Sequence, residues 1–179
     1  MILVKLFLSY LIFSNMILFN FNKDRDLNNW VVRDDVVMGG RSDGHFEINK
    51  EGHAVFYGSV SMENNGGFSS VRYNFDQIKN DDFSKIKIRL NGDGKQYQFR
   101  IKSNRQERHS YIYIYIYNFK TSGNWQTITI PLSEMVPSFR GRKLDMPNYP
   151  AKVLEEVVIL ISNKKAERFS LEIDKITLE

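Results

Sequence analysis

Two glycine pairs, each set among polar side chains, are the first places where these 179 residues could do chemistry. The first lies in Asp34-Asp35 followed by Met38-Gly39-Gly40-Arg41-Ser42. Adjacent glycines open backbone geometry closed to other residues and let a second segment approach closely. A carboxylate and an arginine flanking such a turn can pair bidentately or hold a polar ligand, which makes Asp35 and Arg41 candidates. The competing reading is an internal ion pair that locks the loop, because buried charges are normally paired. The second pair lies in Asn64-Asn65-Gly66-Gly67-Phe68. There the asparagines can simply cap a turn through their own backbone. Alternatively the two Gly-Gly loops meet at one rim, where Asn65 and Arg41 would present amide and guanidinium groups to a sugar or a peptide strand.

The row Tyr111, Tyr113, Tyr115, Tyr117 alternates with Ile112, Ile114 and Ile116. In a strand all four phenols share one face. With the isoleucines in the core, the tyrosines form a platform for stacking on sugar rings or docking a partner, Tyr113 and Tyr115 being the candidate contacts. If the strand is central, both of its faces are covered, which also hides an aggregation-prone run. Arg105, Arg108 and His109 precede this row, and Arg140 and Arg142 sit in a later loop. They can line an anion or sugar-acid pocket, or be scattered surface arginines.

Catalytic signatures are missing. His45, His53 and His109 have no metal-ligand spacing, and there is no nucleophile elbow, phosphate loop or dinucleotide fingerprint. The pairs Asp34/Asp35 and Asp81/Asp82 are adjacent, so on a strand their side chains point to opposite faces and make no acid–base couple. Absence of cysteine excludes disulfides, thiolate metal sites and cysteine nucleophiles. The expectation is a binding protein with no cofactor, no metal site and no enzymatic activity, a structural Ca²⁺ on Asp and backbone oxygens being the one metal option left.

These candidates need a scaffold, and the scaffold reads as strands. Lys85-Ile86-Lys87-Ile88-Arg89-Leu90 alternates strictly, with aliphatics on one face and cations on the other. Asn91-Gly92-Asp93-Gly94 gives a turn, and Gln96 to Ile101 resumes with Tyr97, Phe99 and Ile101 on its apolar side. His53 to Val60, Phe68 to Phe75, Gln126 to Pro131, Val157 to Ser162 and Phe169 to Leu178 add further β-rich runs. About ten short strands separated by turns predict an all-β fold, best packed as two antiparallel sheets in a single domain. A 42% hydrophobic and 26% charged composition is globular. Net charge is +4 without a basic run longer than Lys164-Lys165, so nucleic-acid binding is not expected.

Residues Ile2 to Phe21 are apolar apart from Lys5 and several polar interruptions. Leu6 to Phe13 has the character of an export h-region, so residues 1–15 are read as a leader and 16–179 as the domain. The expected compartment is periplasmic or secreted, with a cytoplasmic protein as the alternative. No membrane span is expected in the mature domain. Met16 to Phe21 reads as the first strand of that domain.

The run Trp30-Val31-Val32-Arg33-Asp34-Asp35-Val36-Val37-Met38-Gly39-Gly40-Arg41-Ser42 resembles the signature of the complex I intermediate-associated protein 30 family. In order follow Phe56-Tyr57-Gly58, Glu63 to Arg72, Leu90 to Tyr97, Phe119-Lys120-Thr121 with Trp125, Ile130-Pro131, Phe139 to Arg142, and Phe169 to Ile173. The resemblance spans roughly Phe19 to Glu179. It implies a galactose-binding-like jelly-roll β-sandwich and a role in protein interaction or assembly. Arg72 and Arg140, inside two of these pieces, join the candidate binding residues. A long Arg/Ser-rich transit peptide is not seen, which favours a stand-alone, bacterial protein over a respiratory assembly factor. The leading expectation is therefore a non-catalytic assembly or protein-binding module. A carbohydrate-binding module using an aromatic platform is the alternative, and an enzyme with an unrecognised site is the third.

Overall fold

The alternating runs become antiparallel strands in a computed structural model that describes residues 15–102, 114–150 and 152–179. One sheet orders β3 (Asp43–Ile48), β4 (Ala54–Val60), β13 (Glu167–Leu178), β6 (Lys85–Gly92) and β9 (Trp125–Pro131), with β1 (Met16–Asn20) pairing the C-terminal half of β13. The second sheet has seven strands. They run β11 (Arg142–Lys143), β10 (Val136–Phe139), β8 (Ile114–Lys120), β7 (Gln96–Lys102), β12 (Val153–Ile161), β5 (Ser69–Lys79) and β2 (Trp30–Asp34). The chain crosses repeatedly between the sheets, and the product is a jelly-roll β-sandwich of the expected class. The strand expected at 16–21 is present as β1, and its Leu18 and Phe19, with the following Phe21, are buried. The proposed leader falls almost wholly on residues 1–14, outside the described residues.

Strict alternation places the core. Ile86, Ile88 and Leu90 of β6 are fully buried against Tyr97, Phe99 and Ile101 of β7 in one hydrophobic cluster, while Lys85, Lys87 and Arg89 face away. Each such aliphatic contributes about 2 kcal/mol by leaving water. β12 lacks alternation because it is central in its sheet, between β7 and β5, and both of its faces are covered. Leu154, Val157, Ile159 and Ile161 enter the core, whereas Glu156, Val158 and Leu160 lie on the outer face of the sheet. The turn after β6 is tied by Asp93. Its carboxylate accepts from the Tyr97 hydroxyl at 3.1 Å, the Lys95 ammonium at 2.6 Å and the Ser170 N–H at 3.0 Å. Burial pushes the Asp93 carboxyl up, but these donors outweigh it and hold the group below its ordinary value. Tyr97→Phe removes one of them and is expected to cost about 1 kcal/mol in urea unfolding, with the fold unchanged.

The tyrosine row requires a correction. Tyr115 is buried in the inter-sheet core and Tyr117 packs against it, while Ile114 and Ile116 face outward. Register is the reason. Ile101 opposes Tyr115 and Phe99 opposes Tyr117, and residues directly opposed across a ladder share a face. The core side of β7 thus fixes the core side of β8. Tyr115 meets Tyr149 edge-on at 5.1 Å. Both faces are covered at Tyr115 and Ile116, so Tyr115 is unavailable as an external platform. Tyr111 and Tyr113 lie outside the described residues.

Candidate functional site

The two Gly-Gly loops do meet, and Asp35 is what joins them. Asp35 opens a 3-10 turn, Asp35–Met38, which ends at Gly39 with φ of 88°. Its fully buried carboxylate accepts the Ser42 N–H at 2.9 Å and the Ser42 hydroxyl at 2.5 Å. From the other loop it accepts the Gly67 N–H at 2.6 Å and the Phe68 N–H at 3.2 Å. The glycines are required by this approach. A Cβ on Gly40 would collide with the Asp35 carboxylate, and one on Gly66 would lie 2.6 Å from its Oδ2. Burial pushes the carboxyl upward. The Ser42 hydroxyl and the three backbone donors overcome that and hold it below its ordinary value.

Asp35 is therefore a bracket rather than a ligand contact, and the expected Asp35–Arg41 pairing does not occur. Arg41 instead meets Glu63 at 3.0 Å, both side chains more than 60% exposed. Arg41→Ala is expected to change stability by less than about 0.5 kcal/mol in thermal melts, because exposed pairs gain little. Asn65 adopts a left-handed φ of 60° at an exposed position, and its neighbour Asn64 donates to the Gly39 carbonyl at 3.0 Å. The asparagines thus serve the turn and its contact with the first loop.

The bracket holds Met38 and Phe68 at the rim of a groove on the outer face of the seven-stranded sheet. This hollow, of about 590 Å³, is lined by Met38, Phe68, Arg72, Arg100, Arg140, Gly141, Leu160 and Ser162. A second hollow of about 230 Å³ shares Arg72, Arg100 and Arg140 and adds Lys102, Ile114, Ser138, Phe139, Glu156 and Val158. Arg72 lies 3.6 Å from Glu156, and Lys102 lies 3.5 Å from the same carboxylate oxygen. Arg100 aims Nε and one terminal nitrogen at Gln98 Oε1, at 3.0 and 2.5 Å. Burial, reinforced by the nearby Arg72, pulls Arg100 down to about 10. Burial likewise lowers Arg72, partly offset by Glu156. Arg140 has a left-handed φ of 47° and its guanidinium lies 5.3 Å from the Phe139 ring centroid.

Of the sequence candidates, Arg72 and Arg140 share the groove. Asp35 supports its rim from beneath, while Arg41 and Asn65 belong to the loops behind it. Of the other arginines raised, Arg142 is exposed on β11, and Arg105 and Arg108, with His109, fall outside the described residues. Sequence reasoning missed Arg100, Lys102, Glu156 and Gln98. The alternation that assigns Tyr97, Phe99 and Ile101 to the core sends Gln98, Arg100 and Lys102 to the opposite face of the same strand, so a signal was present. Among the described residues no cluster of three or more His, Asp or Glu side chains could hold a metal ion.

Fold and site together define a jelly-roll β-sandwich domain with a polar groove across one sheet face. The sequence profile of complex I intermediate-associated protein 30 (CIA30) matches residues 19–173, and the chain belongs to that family. Solved structures share the fold. A family 11 carbohydrate-binding module from Clostridium thermocellum, in complex with a β-1,3-1,4-mixed-linked tetrasaccharide, is 17% identical with a TM-score of 0.68. The likeness covers 92% of this chain and 94% of that one. The family 11 module of a cellulosomal cellulase of the same organism gives 0.67 at 17% identity, with the same coverage of both chains. An agarase matches with a TM-score of 0.60 at 10% identity over 92% of this chain, which corresponds to 24% of the agarase. No curated protein matches the chain at a significant level.

Proposed function

We propose that this chain is a non-catalytic, glycan-binding domain that seats its ligand on the outer face of the seven-stranded sheet. The observation that carries the reading is the direction of the groove. It crosses the strands from β5 through β12 and β7 to the β10 end, as its lining residues show. A peptide that binds by adding a strand needs a free sheet edge and runs along the strands. This groove has neither property, because its floor is side chains on ladders already paired on both sides. Guanidinium forks and Ser138 can bond ring hydroxyls, and Met38, Phe68, Ile114 and Phe139 along the groove offer apolar surface for the C–H faces of sugar rings. The likeness to carbohydrate-binding modules supports the same reading. Native gels containing single polysaccharides test it: wild type should be retarded by at least one and the Arg140→Ala variant released. Absence of retardation by any polysaccharide would count against it.

A second reading rests on a separate observation. Val36, Val37 and Met38 are exposed by 59, 72 and 65%, and Met62 by 44%, beside the groove mouth. An apolar tip of this kind suits a protein partner, as an assembly role would need. Stoichiometric capture of a protein that is lost on Val37→Asp, with no polysaccharide retention, would favour that role.

A further inference from the structure

The groove floor has a charge pattern that selects among glycans, and this inference rests on the glycan reading above. Cross-strand register builds one continuous outer row: Val31 opposes Arg72, Arg72 opposes Val158, Val158 opposes Arg100, Arg100 opposes Ile116, and Ile116 opposes Val136. Cations and aliphatics therefore alternate across the central strands. Neighbouring strands are about 4.8 Å apart, so the Arg72 and Arg100 backbones stand roughly 10 Å apart, two strands from one another.

Charge in the groove is unbalanced. Among the described residues, Arg72, Arg100, Lys102 and Arg140 line it against one carboxylate, Glu156, which already lies within 3.6 Å of Arg72 and of Lys102. Among the described residues Arg100 bonds only a neutral amide oxygen. Arg72 Nε is buried without a hydrogen-bond partner. Two half-buried guanidiniums on the strands that flank β12 repel, and an anion spanning them restores balance and supplies forked acceptors. The described lining carries no tyrosine or tryptophan, its aromatic rings being Phe68 and Phe139, and cations dominate its polar groups.

We propose that the groove binds an acidic glycan whose carboxylates fall on alternate rings, one at Arg72 and the next at Arg100, with the uncharged ring between them over Val158. The spacing argument is one of registry. Each ring of an equatorially linked pyranose chain advances by nearly one strand spacing, so alternate rings match alternate strands. A polymer charged on every ring would press a carboxylate onto Val158 and toward Glu156.

Calorimetric titration of the full chain tests this with three equatorially linked hexasaccharides: hyaluronan, charged on alternate rings; β-1,4-mannuronan, charged on every ring; and cellohexaose, uncharged. Hyaluronan is expected to bind at least about tenfold tighter than the other two and to weaken with added salt. Arg72→Ala, Arg100→Gln and Arg140→Ala are each expected to weaken it about tenfold. Arg140 is an exposed loop residue whose loss leaves folding intact. Arg168→Ala, on the other sheet, should leave binding unchanged. Mannuronan binding as tightly as hyaluronan overturns the alternate-ring register. Cellohexaose binding equally, unmoved by the arginine variants, overturns acidic selectivity while leaving the glycan reading standing. Failure of all three, together with no retention in polysaccharide gels, overturns both.

Discussion

Replacing Asp35 with alanine is expected to destabilise the protein by about 3–5 kcal/mol, the largest single-residue effect anticipated in this fold. The carboxylate closes four hydrogen bonds across two loops at a fully buried position. Its removal strands the Ser42, Gly67 and Phe68 N–H groups and opens space between loops that glycines brought together. At this chain length each kcal/mol lowers the melting temperature by about 2–4 °C, so a fall on the order of 10 °C should appear in calorimetry. The sign with pH follows from the direction of the shift. The folded-state carboxyl lies below its ordinary value of 3.8, so its contribution is present above that value and is lost as pH falls through the folded pKa. The gap between wild type and Asp35→Asn should therefore hold constant through neutral pH and close only in strong acid. A gap that closes near pH 6 would show that another group controls these loops. Because Phe68 and Met38 hang from the bracket, Asp35→Asn should also weaken ligand binding with no groove residue altered.

The second large effect separates binding from stability. Arg100→Leu is expected to weaken binding of an acidic glycan by about tenfold, while leaving unfolding free energy unchanged or raised by about 1 kcal/mol. Arg100 is half-buried, is repelled by Arg72 and has no carboxylate partner among the described residues. A leucine there would extend the apolar floor made by Val158 and Ile116. Arg72 behaves differently. Its loss leaves Glu156 buried with Lys102 as its one cationic neighbour among the described residues, so Arg72→Leu should weaken binding and destabilise together. Urea titration of both variants checks the contrast. A destabilised Arg100→Leu would mean that the guanidinium holds the sheet together instead of awaiting a ligand.

The sandwich was readable in the chain because period-two alternation and core burial are the same fact at two scales. Lys85 to Leu90 shows this, each aliphatic inside and each cation outside. The strand at Met16–Asn20 was legible instead as a short, continuous apolar run rich in β-forming residues. The tyrosine row was not, because Tyr and Ile both suit a core and alternation between two apolar types leaves its inside face undecided. Only pairing with β7, a contact distant in sequence, settles it. The Gly-Gly loops signalled close approach correctly, yet their sequence could not say that a buried carboxylate, satisfied by N–H and O–H donors, is what they approach. Arg100 and Lys102 were overlooked because a cation on an outward strand face reads as solvated surface. Their meaning depends on Arg72 and Glu156, which come from strands 28 residues before and 56 after Arg100 in the numbering.

The most direct test of where the ligand lies is a crystal structure of the full chain with a hyaluronan hexasaccharide. The expected result is a sugar chain crossing β5, β12 and β7 on the outer face of the seven-stranded sheet, with carboxylates of alternate rings on Arg72 and Arg100. A sugar seated on the six-stranded sheet, or a chain running along the strands, would contradict it.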